Sequence, residues 1–396
     1  PCATPVALPI RIGIPRSGSS PQRGCASPHG GGPYLQLLWS LTMKSGRSLV
    51  DLARELERQI SSKRDLVVPS SFLQCRTDED GSLKLIVDSR QGDGEYGVTG
   101  LARRQLADKL KIPFAYFERM RTEQPQLLDR NVNTWLQSDG DRRMIRTLDG
   151  QVRAVLSDRY RRLDNFDLAE NVLPILQRLE GARFESVELT ETKMYLKVIT
   201  PRVEFEVAPG DIVQAGIVIT NSEVGCGTLS VQPLIYRLVC KNGLIASDHA
   251  LRKTHVGRSL TTEAESVNVF RDDTLAADDR AFFLKVRDVV EAAVSEATFR
   301  QVAQKLQKTR DIRLTGDPVK SVEVLANRYT LNDTERAGVL RHLIVEGDLS
   351  AYGLVNAVTH FSQDVDDYDR ATEFEALGGK LIELAPGDWK ELAHAA

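Results

Sequence analysis

The chain has 396 residues, of which 41% are hydrophobic and 27% are charged, and its formal net charge is −3. This length and composition allow a sizeable buried core and predict either two domains or one large elaborated domain. The longest candidate for an apolar span, Tyr34–Leu41, is too short to cross a bilayer, which excludes a transmembrane helix.

Residues 1–42 differ from the rest of the chain, since they are rich in Pro, Gly and Ser and contain three arginines but no acidic residue. They lack both the amphipathic period of a transit peptide and the apolar run of a signal peptide. We therefore predict a disordered leader translated from upstream sequence and a native start at Met43. Without the leader, the formal net charge is −6.

Of the five cysteines, Cys2 and Cys25 fall in this leader. The others, Cys75, Cys226 and Cys240, form an odd and sparse set without CxxC spacing. This pattern argues against a disulfide framework and predicts a protein of the reducing cytoplasm.

Segment 43–100 is predicted to hold a lone N-terminal helix from Ser45 to about Gln59 and two short strands, DLVVP and SLKLIVD. Three short helices are then predicted after Gly100, at Pro113 and at Pro125, because proline is tolerated in the first turn of a helix.

Segment 101–260 is predicted to be a basic α+β core. The dipeptide Asp149-Gly150 lies between two alternating runs and predicts a hairpin, and Asn165–Leu179 has a helical period. Five alternating segments between Arg183 and Cys240 predict an antiparallel meander, with turns around Cys226 and at Asn242-Gly243.

Segment 261–396 is predicted to be helical, because Phe282, Val286, Val289 and Ala293 share one helix face. Further helix starts are indicated at the Asp317-Pro318, Asn332 and Ser350 positions. The expected fold class is α+β, with an antiparallel β-meander core, flanking helices and a C-terminal helical domain. Charge follows this division, since residues 101–162 carry a net charge of +6 and residues 331–396 a net charge of −8.

The segment RAVLSDRYRRLDN, residues 153–165, combines arginines with one tyrosine at the end of the hairpin. Arginine suits bidentate contact with phosphate, and tyrosine offers a face on which a base can stack. Arginines on the partner strand and a second basic run extend the pattern, and would form one surface if the two β segments shared a sheet. The predicted nucleic-acid-binding residues are Arg142, Arg146, Arg153, Arg159, Tyr160, Arg161, Arg237, Lys241, Arg252 and Lys253. The competing interpretation is a solvated sheet face with an Asp–Arg pair at its rim.

Two further patterns, which could indicate a metal site or a nucleophile, give weaker signals than the arginine pattern. Cys226, Cys240, His249 and His255 lack the close cysteine pair of structural zinc sites, and no third group is indicated that would orient a Cys–His pair. His360 and Asp364 have i, i+4 spacing, but an acidic, solvated helix end explains them better than a divalent-metal site. The sequence contains no Walker, Rossmann, nucleophile-elbow or zincin motif, so we predict neither a metal nor a cofactor.

Three segments carry a family resemblance: RAVLSDRYRRLDNFDL, ITNSEVGCGTLSVQPLIYRLVCKNGLI and AYGLVNAVTHFSQDVDDYDRATEFEALGG. Together they resemble the phage- and plasmid-related proteins grouped as domain of unknown function 932, from roughly Leu101 to the C-terminus. The resemblance implies a cytoplasmic protein of a prokaryotic or viral mobile element, and supplies no activity, catalytic residue or cofactor.

The sequence thus predicts a nucleic-acid-binding accessory factor in replication or recombination, with single-stranded DNA as the expected partner and no membrane association. The meander followed by helices is similar to the ring-forming single-strand annealing superfamily, which suggests a homo-oligomer. Two alternatives stay open. One is a phosphate-substrate hydrolase or transferase that uses Asp158 or Asp164 beside the arginines, and the other is a protein-interaction scaffold or host-factor inhibitor with an acidic tail.

Overall fold

The structure is a computed structural model that describes residues 46–88, 94–160, 162–246, 272–293 and 295–395. Among these residues, no helix has both the length and the apolar character needed to cross a membrane. The described part of the chain forms an α+β fold with two β-sheets and a helical C-terminal region.

The first sheet contains the predicted hairpin. Its strands are β1 (Arg64–Pro69), β2 (Leu73–Thr77), β3 (Leu83–Val87), β4 (Gly94–Val98), β5 (Arg142–Leu148) and β6 (Gln151–Ser157). The spatial order is β1-β5-β6-β4-β3-β2, and only β4 and β6 are parallel. Asp149 and Gly150 join β5 to β6 with φ angles of 51° and 74°, the left-handed backbone that a tight two-residue hairpin turn requires. The hairpin prediction is confirmed.

Three helices cover one face of this sheet. They are α2 (Gly100–Lys109), α3 (Phe114–Glu123) and α4 (Pro125–Ser138), and they begin close to the predicted positions. Pro125 is in the first turn of α4, where its missing N–H costs nothing. Leu106, Phe117 and Leu128 from the helices pack in one buried cluster with Leu85 and Val155 from the sheet.

The second sheet is the predicted antiparallel meander. Its strands are β7 (Arg183–Leu189), β8 (Met194–Ala208), β9 (Asp211–Asn221), β10 (Ser230–Arg237) and β11 (Asn242–Ile245), in the order β11-β10-β9-β8-β7. Two predictions here are wrong. The segments KMYLKVIT and VEFEV form one continuous strand with register shifts. Asn242 and Gly243 lie inside β11, because they pair with Arg237 and Tyr236.

Three helices from well-separated parts of the chain pack on one face of the meander. These are α1 (Leu49–Ser62), α5 (Asn165–Arg178) and α6 (Asp272–Ala293). Leu56, Leu176 and Phe282 form a buried cluster with Leu196 and Ile217 of the sheet. Side chains alternate along a strand, so Tyr195, Lys197 and Ile199 belong to the opposite face.

The C-terminal helices are α7 (Glu296–Lys308), α8 (Pro318–Tyr329), α9 (Asp333–Glu346), α10 (Ala351–Phe361), α11 (Tyr368–Leu381) and α12 (Pro386–Ala393). The three predicted starts are confirmed by their caps. The Asp317 carboxylate accepts from the Val319 N–H, Asn332 and Glu335 form a capping box, and the Ser350 hydroxyl accepts from the Gly353 N–H. Helix α11 lies against the Lys197 side of the meander, where Lys197 contacts Glu375.

Candidate functional site

Arg146, one of the predicted binding residues, is an interior residue. Its side chain is 1% exposed and forms a two-point ion pair with Asp65, at 2.9 and 3.0 Å, and a second pair with Asp164 at 2.5 Å. Its remaining nitrogen, Nη1, donates to the Glu223 carbonyl oxygen at 2.9 Å. Against the cost of burial, the carboxylates of Asp65 and Asp164 raise the pKa of Arg146 above its ordinary value. Arg146 is therefore fully partnered and not available to a strand of nucleic acid.

Glu223 forms the centre of a second group of charges. Its side chain is 2% exposed, and Oε1 accepts from Lys63 Nζ and from the Asn165 backbone N–H, each at 2.6 Å. Arg153 Nη1 lies 2.5 Å from Oε2, close enough for an ion pair but without the angle of a hydrogen bond. Burial would raise the pKa of Glu223, but Arg153 and Lys63 hold it below its ordinary value. The carboxylate is therefore charged at neutral pH.

These two groups form one buried ion network of three cations, Lys63, Arg146 and Arg153, and three carboxylates, Asp65, Asp164 and Glu223. The network joins the first sheet to the meander, since Arg146 and Arg153 come from β5 and β6 while Glu223 follows β9.

The SDRY and NSEVG segments, which carry much of the family resemblance, meet at this junction. The Tyr160 hydroxyl donates to the Ser222 carbonyl at 2.7 Å, and Asn221 Nδ2 donates to Asn165 Oδ1 at 2.8 Å. Gly225 has a φ of 78°, and a Cβ there would lie 2.6 Å from Leu156 Cδ2, so the turn needs glycine. The ring of Tyr160 packs against the Met144, Leu156 and Val224 cluster. Tyr160 is therefore part of the junction, and its ring is not a free stacking surface.

A cavity of about 320 Å³ opens beside the network. Its lining comes from both sheets and from α1 and α5: Gln59, Thr99, Leu148, Asp149, Gln151, Arg153, Asn165, Leu189, Thr190, Glu191, Thr192, Lys193, Glu223 and Val224. The β7–β8 turn contributes Lys193 and two threonines. The hydroxyls of Thr190 and Thr192 both donate to Asp369 in the first turn of α11, and Tyr195 donates to the same carboxylate at 2.8 Å.

Arg153 is the unusual residue of this lining. Its side chain is 11% exposed, and its Nε and Nη2 groups are buried without a hydrogen-bond partner among the described residues. These two N–H groups share one edge of the guanidinium, the edge that donates two parallel hydrogen bonds to a phosphate or carboxylate. Because a buried donor without a partner is costly, a small shift of the side chain that brings this edge to an acceptor in the cavity would be favourable.

Two carboxylates of the lining, Asp149 and Glu223, are poor candidates for proton transfer. The pKa of Asp149 is lowered by its hydrogen bond with Arg58, and the pKa of Glu223 is lowered as described above. Asp164, a candidate base of the enzyme hypothesis, is committed to Arg146, and Asp158 is exposed. The arrangement can bind an anion or a polar group more readily than it can catalyse.

The other predicted binding residues do not join this site. Arg142 is exposed and donates to the Val67 carbonyl, and Arg159 is exposed. Arg161, Arg252 and Lys253 lie outside the described residues. Arg237 is held by Asp211 at the far end of the meander, near the exposed Lys241. The two β segments belong to different sheets, so the condition for one common arginine surface is not met, and Arg146 and Arg153 face inward.

Of the histidines in the two patterns, His249 and His255 lie outside the described residues. His360 contacts Glu346 rather than Asp364, which instead contacts His342 and Arg341. Sequence reasoning missed Lys63, Asp65, Lys193 and Glu223. The NSEVG resemblance was the available signal for Glu223.

Taken together, the fold and the site define an α+β protein with a polar binding cavity at the junction of two sheets. The model of the family described as domain of unknown function (DUF932) matches residues 152–376, more than half of the chain. The protein belongs to this family, and the predicted resemblance is confirmed. Comparison with curated proteins and with solved structures finds no match.

Proposed function

We propose that the protein is a nucleic-acid-binding accessory factor of a phage or plasmid, and that its cavity holds one nucleotide unit of a single strand. The observation that supports this most directly is Arg153, which lines the cavity and whose buried Nε and Nη2 groups have no hydrogen-bond partner among the described residues. A phosphodiester or a base carbonyl offers the acceptor oxygens that this edge requires.

The dimensions and the rim of the cavity are consistent with such a ligand. Its volume of about 320 Å³ is at the lower end of the range for small-ligand sites, which suits a single nucleotide and excludes a base-paired duplex from the interior. Lys193 lies in the lining, and the exposed cations Arg159 and Arg162 follow β6 near the Tyr160 contact. These cations supply the electrostatic attraction for a phosphate backbone.

The hydrolase or transferase alternative receives less support from the geometry. The pKa values of two lining carboxylates, Asp149 and Glu223, lie below the ordinary range, and a weakly basic carboxylate is a poor general base at neutral pH. Binding without turnover is therefore the preferred proposal.

The test is binding of a fluorescent single-stranded oligonucleotide, compared with the duplex of the same sequence, over a series of salt concentrations. We expect the single strand to bind more tightly, with an affinity that falls as salt rises. Arg153→Lys keeps a positive charge beside Glu223 but removes the two-point edge, so it should weaken binding. Lys193→Ala should weaken binding and reduce the salt slope by about 0.7, the loss of one phosphate contact on a single strand.

Arg202→Ala is the matched control. Arg202 lies in β8, nine residues beyond Lys193, and pairs only with Glu180 at the surface. The control should bind like the wild type. No binding at low salt by the wild type, or equal losses in all three variants, would overturn the proposal.

A further inference from the structure

A second cluster of reactive side chains lies at the C-terminal end of β10. The turn after β10 carries Cys240, the last residue of α9 is Glu346, and the last turn of α10 carries His360. One potential ligand atom from each residue, the thiol sulfur, a carboxylate oxygen and an imidazole nitrogen, lies within 4.8 Å of the other two. His360 Nδ1 and Glu346 Oε1 are 2.8 Å apart.

We propose that Cys240, Glu346 and His360 form a zinc-binding site. Sulfur, nitrogen and oxygen donors of these residue types are the ligands that Zn²⁺ takes in proteins. Zinc bond lengths of about 2.0–2.3 Å in a tetrahedral arrangement place donor atoms roughly 3.3–3.8 Å apart, so rotations of three half-buried side chains are enough to enclose the ion. Three protein ligands leave the fourth position for water.

The charges around the cluster favour a divalent cation with a thiolate ligand. Arg237 and Asp211 neutralise one another through hydrogen bonds of 2.8–3.1 Å, which leaves the Glu346 carboxylate as one excess negative charge. Binding of Zn²⁺ with release of the Cys240 thiol proton adds a net charge of +1, so the cluster becomes neutral. Binding of the ion at His360 Nδ1 requires the neutral tautomer with the ring proton on Nε2, so the imidazole keeps its charge.

Arg237 does not prevent this. Its Nε and Nη2 groups are engaged by Asp211, and its Nη1 donates to Cys240 Sγ at 3.3 Å. A fixed N–H donor to a ligating sulfur is the kind of outer contact that tunes and orients metal ligands. His342 supports the opposite side, because its ring packs on that of His360 with centroids 4.3 Å apart.

The site is independent of the nucleic-acid cavity, since its residues do not line that cavity. Its ligands come from a meander turn and from two C-terminal helices. Bound zinc therefore links the sheet to the helical region, and its binding energy stabilises the folded chain.

The experiment uses the full chain, stripped of metal with a chelator, and titrates Zn²⁺ in competition with a chromogenic chelator. We expect one zinc per chain in the wild type and at least about tenfold weaker binding in both Cys240→Ser and His360→Gln. Cys226→Ser is the matched control, because Cys226 is also a half-buried free thiol, and it should bind zinc like the wild type.

Titration of the wild type with Co²⁺ provides a measurement that does not depend on a variant. Thiolate ligation should give a sulfur-to-cobalt charge-transfer band in the near ultraviolet. The absence of this band, zinc binding that is insensitive to Cys240→Ser, or an equal loss in Cys226→Ser would each overturn the proposal.

Discussion

Two buried ion pairs, one on the meander and one between the two sheets, illustrate how differently the protein uses interior charge. Lys197 and Glu375 are both fully buried, 2.6 Å apart, and the lysine also donates to Thr372 and lies over the ring of Tyr368. Arg153 and Glu223 are equally close, but two buried N–H groups of the arginine have no hydrogen-bond partner among the described residues, and Arg153 lines a cavity. Neither Lys197 nor Glu375 lines that cavity. Glu375 Oε1 also lacks a hydrogen-bond partner among the described residues, so the two pairs differ in their place. The first, the closed pair, lies between α11 and the sheet, and the second, the open pair, borders the cavity.

The largest loss of stability should come from breaking the closed pair, Lys197 with Glu375. Lys197→Met leaves Glu375 as an uncompensated buried charge, and we expect the free energy of unfolding to fall by about 3–5 kcal/mol. The double variant Lys197→Met/Glu375→Leu removes both charges and should recover much of this loss. Urea unfolding measures both. A double variant less stable than the single one would show that the pair itself holds α11 in place.

A smaller loss of stability is expected at the open site. In Arg153→Gln, Glu223 keeps Lys63 and the Asn165 N–H as partners, so the free energy of unfolding should fall by only about 1–2 kcal/mol, measured in the same urea series. Binding of the single strand should nevertheless be lost. If Arg153→Gln costs as much stability as Lys197→Met, the distinction between a closed and an open pair does not hold.

Low pH should reduce the stability that the ion network around Arg146 and Arg153 contributes. The ion pairs hold the pKa of Asp164 and of Glu223 below the ordinary carboxyl range. Such groups contribute stability above their unfolded-state pKa, near 4, and this contribution is lost as pH falls through the lower folded-state pKa. The difference in unfolding free energy between the wild type and Asp164→Asn should therefore be largest near neutral pH and shrink in acid. A difference that is constant from pH 7 to about pH 2 would contradict the assignment.

The smallest change in the free energy of unfolding is expected for an ion pair at the surface. Arg202 and Glu180 form a pair at 2.6 Å, but their side chains are 70% and 77% exposed. Solvent screens such pairs, so Arg202→Ala should change the free energy of unfolding by about 0–1 kcal/mol. A melting temperature well below that of the wild type would indicate that exposed pairs also carry part of the fold.

Local signals in the sequence predicted much of the fold. The Asp149-Gly150 hairpin, the capping box at Asn332 and the alternating meander depend on neighbouring residues, and all three are present. The assignment of strands to two sheets depends on long-range pairing, such as β1 with β5, and a pattern along the chain does not contain it.

The candidate site was located only in part for the same reason. Arg146 and Arg153 were identified, but a charged run is usually a solvated face, and their burial depends on acids far away in the chain. Asp65 lies 81 residues before Arg146, and Glu223 follows the arginines by a similar distance. Only the folded chain shows that these charges neutralise one another and that the Nε and Nη2 groups of Arg153 are left without a hydrogen-bond partner among the described residues.

The hydrogen bonds from Thr190 and Thr192 to Asp369 attach one wall of the cavity to a residue far away in the sequence. The wall that carries Lys193 is fixed by a carboxylate in the first turn of α11, more than 170 positions later in the sequence. Separating the β-rich part from the helical part would therefore remove the support of this wall while leaving every lining residue in place. An isolated β-rich fragment should keep the residues that line the cavity but not their spacing, so α11 supports the proposed binding site without lining it.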